Sequence, residues 1–306
     1  MRTILVTGGA GFIGSNVAKH LISAKNRIIV FDNLSTGQKS AVPKGAIFVK
    51  GDVRSEEAVA QAFKKYKPDV VLHIAGQASN ITSFADPHAD ADVNYKGTIN
   101  VAGACVTYHT PRLVYASSML ATGPSGGPSS YYGISKYAAE RFVLATAIRP
   151  DLKNSLNVTA LRMFNVYGPG QSITNPYQGV LAIFIGNVLR GEPIKIYGTG
   201  RQTRDFIYID DVCDAWKNVI DNKKSFGKVL DLGSGRQISI NRLAAAVIKA
   251  CGKNSNTYPI KHLPKRPGDE PVVKAAMGET RRLLNFTPKV SFADGLRQTI
   301  AWAQRP

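Results

Sequence analysis

Three cysteines in 306 residues, none close to another, leave this chain without a disulfide framework. Cys105, Cys213 and Cys251 match no metal-ligand spacing, so neither a stapled secreted fold nor a structural zinc site is expected. A reducing, cytoplasmic setting fits this cysteine usage. Long apolar runs are missing too. The run from Thr3 to Thr7 is too short for a signal-peptide core and opens into glycines, and no segment approaches the ~20 apolar residues of a membrane helix. Acidic residues are scarce: 21 Asp and Glu stand against 39 Lys and Arg, a net charge of +18. The basic residues are scattered, with no Lys/Arg block and no RNA-binding signature. A specific nucleic-acid partner is therefore not expected, and the excess reads as a basic surface or an affinity for an anionic substrate.

What is present is an alternation. Short β-branched runs, Ile4 to Thr7, Arg27 to Phe31, Ile47 to Val49, Val70 to Ile74 and Leu113 to Ala116, are separated by helical stretches. In the first of these, Ile13, Val17 and Leu21 recur at i, i+4 and i+8, a stripe suited to packing on a sheet. The pattern predicts an α/β fold built on a doubly wound parallel sheet of Rossmann type. Beyond about Gly168 the rhythm loosens into Pro/Gly-punctuated stretches at 168–170, 191–193, 198–200 and 264–268, as expected of a smaller C-terminal α/β lobe that binds substrate. The division expected is residues 1–167 for the sheet domain and 168–306 for the lobe, with 204–232, which reads strand, helix, strand, as a segment returning to the first sheet. No internal repeat interrupts this.

Gly8, Gly11 and Gly14 fall directly after the first strand and open the first helix. Without Cβ atoms they permit a tight turn, close approach of a pyrophosphate and close packing of helix on sheet, while the helix N-terminus offers N–H groups and a positive dipole. The second strand ends at Asp32. A carboxylate there can accept hydrogen bonds from an adenosine ribose and repel a 2′-phosphate, which selects NAD over NADP. An acidic residue before Asn33 can also serve simply as a turn cap. Asp52, after the third strand, has the same two readings: an adenine contact or a loop cap.

Tyr132 and Lys136 stand four residues apart at the start of a predicted helix, so their side chains share a face. An ammonium beside a phenol favours the phenolate, a base able to take a hydroxyl proton. The same spacing also occurs as an idle surface pair. Ser118 weighs against that, because it follows the apolar strand Leu113 to Ala116, and in open parallel sheets ligands sit beyond the carboxyl ends of the strands. Its neighbour Ser117 is the plainer residue, and either serine can merely cap the strand end. His73 reads as a packed strand-end residue rather than an acid/base group.

On these residues the chain resembles the extended short-chain dehydrogenases/reductases, in the NAD-dependent sugar epimerase/dehydratase family. The likeness runs through the Thr7 to Gly14 turn, Asp32 to Gly37, Gly51 to Arg54, His73 to Gln77, Val93 to Thr98, Tyr132 to Lys136, Arg162 to Gly170, Gln202 to Phe206 and Arg266 to Asp269. It implies that Tyr132 is the catalytic base, Lys136 its partner and a nicotinamide-ribose ligand, and Ser118 the hydroxyl that shares the proton. It implies NAD contacts from Gly8, Gly11, Phe12, Ile13, Gly14, Asp32, Asn33, Ser35, Thr36, Gly37, Asp52, Val53, Ala75, Gly76, Gln77, Asn94 and Ser117, besides Tyr132 and Lys136. Asn165, Arg204 and Arg266 would hold a substrate diphosphate, a task that suits the paired donors of a guanidinium; Arg204 can instead pair with Asp205. Ser79 and Ser83 match serines near the sugar in relatives, although Ile81 and Thr82 replace arginines common between them. Relatives commonly form homodimers through helices corresponding to about Asp92 to Tyr108 and Tyr132 to Ile148.

The reaction expected from the resemblance is 4-epimerisation of a UDP-hexose, UDP-glucose and UDP-galactose, through a transient 4-keto sugar. In the 4,6-dehydratases an Asp-Glu pair follows the serine and in the decarboxylases a Glu does. Met119 and Leu120 stand here, and neither transfers a proton. A nucleotide-deoxysugar 4-ketoreductase is the alternative. A scaffold binding NAD or a polyanion without chemistry is another, but it leaves the joint presence of Ser118, Tyr132 and Lys136 unexplained. Three departures from the family pattern stand out: a short segment between Ser118 and Tyr132, Ala276 in place of a frequent Asp, and Val273 where some hexose epimerases have a bulky aromatic. The short segment and Val273 predict a pocket that also admits a 2-acetamido sugar.

Overall fold

The computed structural model describes residues 1–123, 127–148, 156–175, 179–266 and 270–305. The chain opens with β1 (Arg2–Thr7), α1 (Phe12–Leu21), β2 (Asn26–Asp32), β3 (Ile47–Lys50), α2 (Glu56–Tyr66) and β4 (Val70–His73). It continues with α3 (Asn80–Ala85), α4 (Pro87–Ala91), a π-helical turn (Asp92–Lys96), α5 (Gly97–Thr107), β5 (Arg112–Ser118), α6 (Tyr131–Ala147), β6 (Asn157–Met163) and β7 (Asn165–Tyr167). Then come α7 (Val180–Leu189), β8 (Ile194–Tyr197), β9 (Thr203–Tyr208), α8 (Ile209–Ile220), β10 (Lys228–Leu232), β11 (Gln237–Ser239), α9 (Ile240–Ala250), β12 (Ile260–Leu263), α10 (Met277–Leu284) and α11 (Phe292–Ala303). These group into two units: Met1–Met163 with Cys213–Asp231 and Gly278–Phe286, and Phe164–Val212 with Leu232–Met277 and Thr287–Pro306.

The first unit is built on a seven-stranded sheet in the order β10-β6-β5-β4-β1-β2-β3. The pairs of β1 with β2 and β4, of β2 with β3, and of β5 with β4 and β6 are all parallel. This is the doubly wound arrangement, and its order reverses between β1 and β4, the place at which sheets of this kind take their ligands, beyond the carboxyl ends of the strands. Thr7 pairs with both Phe31 and His73, so three strands end level. His73 in turn lies opposite Tyr115, and β5 therefore runs on past the end of β4, carrying Ser118 beyond it.

The strands are apolar because helices cover them. Leu5, Ile29, Phe31, Val71, Leu113 and Tyr115 pack with Val59 and Phe63 of α2, Val101 of α5 and Ala139 and Val143 of α6. Each such fully buried aliphatic or phenyl side chain contributes about 1.5–3 kcal/mol. In α1, Val17 and Leu21 of the predicted stripe are buried, with Gly14 and Ala18 beside them, whereas Ile13 is half-exposed at the helix start.

The second unit holds two small sheets. One has the order β11-β9-β7, with β9 antiparallel to β11 and parallel to β7; the other pairs β8 with β12 in parallel. Asp205 on β9 is fully buried and ties this unit together, accepting hydrogen bonds from the amides of Ser234, Gly235 and Ala275 and from Ser234 Oγ. The units differ from the division expected above. β7 and β9 pair with each other, which assigns 164–167 and 204–208 to the second unit. Of the expected returning segment only Cys213–Asp231 joins the first unit, along with Gly278–Phe286, which no strand-helix alternation announces. Among the described residues no helix is long and apolar enough to cross a membrane, and no cluster of His, Cys, Asp or Glu is fit to hold a metal ion.

Candidate active site

The glycine turn forms as its spacing requires. Gly8 has φ +67°, a left-handed conformation that disfavours side chains, and a Cβ on it would lie 2.7 Å from the backbone of Ala75. A Cβ on Gly14 would collide with the carbonyl oxygen of Gly8, so helix α1 sits directly on the end of β1. Gly11 caps α1 with no side-chain acceptor for the first-turn amides, and no acidic residue stands in that turn. The first turn thus suits an external anion.

Asp32, 8% exposed, accepts from the amide of Ala10 at 3.0 Å and from that of Leu34 at 2.8 Å. It therefore caps its own turn and holds the glycine loop. With one bond on each carboxylate oxygen, each retains acceptor capacity for ribose hydroxyls, so capping and ribose binding coexist here. Asn33 donates to Asp52, and the amide of Ser35 to Asn33 Oδ1. The adjoining Gly37 lies against Ala10, whose carbonyl accepts from Gln38 N, with Thr36 preceding Gly37 in the chain. Asp52 is also gripped by the Arg54 guanidinium at 2.7 Å, whose hydrogen bond holds its carboxyl down to about 2. It caps its loop through Arg54 N, while Val53 is buried beside it and presents its carbonyl to Asn100. Asn94, from the π-helical turn, accepts from Gln77 N and donates to Gln77 O, which fixes the Ala75–Gly76–Gln77 loop.

Helix α6 delivers Tyr132 and Lys136. Ser130 caps it by accepting from Gly133 N at 3.1 Å, and Gly133 allows its first turn to press on the carbonyl of Leu120, where a Cβ would collide. Leu120 belongs to the 3₁₀ turn Met119–Ala121, which Ser118 caps at 3.2 Å. The helix start is thereby seated on the turn that leaves Ser118, which brings the Ser118 hydroxyl beside the Tyr132 phenol. Burial pushes the Tyr132 phenol up to about 12; Ser118 pulls it down, and Asp90 pushes it up. Burial drives Lys136, 4% exposed, down to about 7, with Asp90 and Glu140 opposing. Its Nζ lies 4.4 Å from the ring centroid of Tyr115, whose buried hydroxyl makes no hydrogen bond.

His73 is fully buried between Thr7 Oγ1 at 2.7 Å and Thr98 Oγ1 at 3.0 Å. Thr98 donates to the carbonyl of Asn94, so it accepts from His73 Nε2; Thr7 accepts from the amides of Ile74 and Ala75, so it donates to Nδ1. Burial holds this imidazole neutral, down to about 3. Ser117 donates to Glu140 at 2.7 Å. Ser79 caps α3 by accepting from Thr82 N, and the fully buried Ser83 donates to the carbonyl of Asn80. Their hydroxyls thus serve the helix.

In the second unit Asn165 donates to the carbonyl of Asp205 at 3.1 Å, from the strand beside Arg204. Arg204, 9% exposed, donates Nη1 to the carbonyls of Thr203 and Glu270, while the Asp205 carboxylate is occupied by the donors named above. Val273 is 8% exposed and its amide donates to Thr203. Arg266 lies over the Tyr197 ring, 3.6 Å from its centroid. The rest of its motif, 267–269, and residues 124–126 of the short segment lie outside the described residues.

Sequence reasoning overlooked four residues around Tyr132 and Lys136: Asp90, Glu140, Arg162 and Tyr115. Glu140 is fully buried and bound by Arg162 through two bonds of 2.8 and 2.7 Å. Its place one turn beyond Lys136 was the available signal.

A dinucleotide turn in a Rossmann sheet, with a serine, a tyrosine and a lysine gathered at the strand ends, defines a dinucleotide-dependent enzyme of the short-chain dehydrogenase/reductase kind. Residues 4–233 match the model of the NAD dependent epimerase/dehydratase family, and the chain belongs to that family. It is 32% identical to the UDP-glucose 4-epimerase of Mycolicibacterium smegmatis, over 98% of this chain and 97% of that one. The UDP-glucose 4-epimerase of Thermotoga maritima, solved with UDP-glucose, superposes with a TM-score of 0.91 at 32% identity, over 99% and 98% of the two chains. That of Thermus thermophilus, solved with NAD, does so at 0.88 and 33% identity, over 98% of each. NAD is the cofactor, and the glycine turn, the uncapped first turn of α1 and the remaining acceptor capacity of Asp32 fit it.

Proposed function

We propose that this protein is an NAD-dependent nucleotide-sugar 4-epimerase that interconverts UDP-glucose and UDP-galactose through a 4-keto sugar. The observation that carries the reading is the Ser118 hydroxyl set beside Tyr132, with Lys136 one turn away and the apolar Met119 and Leu120 next to Ser118. NAD, when bound, would supply the hydride acceptor and then the hydride donor that an exchange of configuration at sugar C4 requires. Tyr132 takes the proton of the C4 hydroxyl and later gives it back, Ser118 shares that hydrogen bond, and Lys136 stabilises the phenolate. With no acid after Ser118, elimination and decarboxylation lack a proton donor, which favours epimerisation over those reactions. Arg204 and Arg266 hold the diphosphate, so binding energy remote from the reacting carbon retains a sugar that must turn over.

The same reading extends to the 2-acetamido sugars, because Val273 leaves room where a bulky aromatic would stand. It includes a homodimer formed through α6 and the π-helical turn, whose Tyr131, Ile134, Tyr137 and Tyr95 are exposed by 36–50%, unusual for apolar side chains so grouped. The test is incubation with UDP-, dTDP-, GDP- and CDP-sugars and NAD, with products separated and identified by NMR. Conversion of UDP-glucose to its 4-epimer with no net change in NAD supports the reading. Stoichiometric consumption of NAD(P)H by a 4-keto sugar would replace it with the ketoreductase, and inertness of UDP-GlcNAc would remove the acetamido extension.

A further inference from the structure

Asp90 has no part in the chemistry assigned above, yet it is 2% exposed and sits among the residues that carry it. Its Oδ2 accepts from Ser135 Oγ at 2.6 Å, and Ser135 lies between Tyr132 and Lys136 in the catalytic turn of α6. Its Oδ1 accepts from Gln77 Nε2 at 2.7 Å and from Asn94 Nδ2 at 3.1 Å. All three donors are neutral. A Cβ added to Gly76 would be 2.9 Å from Asn94 Oδ1 and 3.6 Å from Lys136 Nζ, so the ammonium stands beside the loop that Asp90 braces.

We propose that Asp90 is a positioning residue for the Tyr132–Lys136 pair: it clamps α6 to the Gly76–Gln77 loop and supplies the negative charge that balances the buried Lys136 ammonium. The inference rests on the proton-handling role given to that pair. The groups facing Lys136 leave Asp90 for this part. On α6, Glu140 is engaged by Arg162 from β6, by Arg141 and by Ser117. From β4, His73 is neutral, and from β5, Tyr115 offers a ring whose phenol burial pushes up further still. Asp90 itself is pushed up by burial and pulled down by its donors and by Lys136.

Removing the charge while keeping the shape separates this role from simple packing. In Asp90→Asn the Lys136 ammonium is less favoured and the Tyr132 phenolate more favoured, so both limbs of the kcat/KM profile move to lower pH, each by about one unit. A merely structural residue would lower the profile without moving its limbs. The direct reading is the NMR titration of the Lys136 side chain, which should fall by about one unit in Asp90→Asn. Lys136→Met supplies the reciprocal: the Asp90 carboxyl should titrate about one unit higher than in the native protein, whatever the fate of the first variant. An unchanged Lys136 titration in folded Asp90→Asn, or an unchanged Asp90 titration in Lys136→Met, overturns the proposal. Absence of epimerase activity in the native protein would defeat the functional reading instead, and leaves both titrations as they are.

Discussion

Asp90 and Asp205 are the least exposed aspartates of the first and second units among the described residues, and the two are satisfied in opposite ways. Asp205 of the second unit is met by four donors, three of them backbone amides of the turns it joins. Asp90 of the first is met by three side chains, and near it lie a lysine pushed down to about 7 and a tyrosine pushed up to about 12. The first carboxylate completes the backbone's own hydrogen bonding and makes architecture. The second belongs to groups whose ionisation is held away from its ordinary range, a condition found where protons are to be moved. Full hydrogen bonding and burial look alike in the two places; the partners distinguish them.

Three substitutions sharpen the contrast. The largest effect on stability is expected at the architectural site: Asp205→Ala leaves buried amides without an acceptor and should lower unfolding free energy by about 3 kcal/mol or more, read by denaturant titration. A loss below about 1 kcal/mol would remove the distinction between the two aspartates. Lys136→Met should act in the reverse direction, abolishing turnover while raising stability at neutral pH by roughly 3 kcal/mol. The sign follows from the depressed folded pKa. Between about 7 and the ordinary 10.5 the unfolded chain binds more protons, so the native penalty is full below pH 7 and fades as pH rises through that interval. The advantage of the variant should vanish by pH 10.5; a constant advantage would mean the lysine is not the cause. Tyr115→Phe is the smallest. It removes a buried hydroxyl that makes no hydrogen bond and keeps the ring beneath Lys136, so the melting temperature should rise, by an amount equivalent to about 1 kcal/mol.

Much of the first unit can be read along the chain because its determinants are local. The glycines at 8, 11 and 14, the runs that become β1 to β5, and the four-residue step from Tyr132 to Lys136 all fall within single elements. Ser118 was legible for a related reason, since a polar residue ending an apolar strand marks the open end of a parallel sheet. What could not be read depends on residues brought together from afar. Nothing in the spacing of Gln77, Asp90, Asn94 and Ser135 announces one network, although the step from Asp90 to Asn94 places both on one helical face. The strand at 203–208 was legible as a strand, but its partners were not, because pairing with 165–167 and 237–239 is decided in the tertiary structure. Asp32 shows a third case: its sequence offered a turn cap or a ribose ligand, and its geometry accommodates both.

The central claim is that one hydrogen leaves C4 of a nucleotide sugar and returns to the same carbon while Tyr132 handles the hydroxyl proton. UDP-glucose carrying deuterium at C4 tests it most directly, with the product followed by NMR in ordinary water. The expected result is UDP-galactose with the deuterium still at C4 and none released to solvent, and no product from Tyr132→Phe. Loss of the label to water, or the same conversion by Tyr132→Phe, would contradict it.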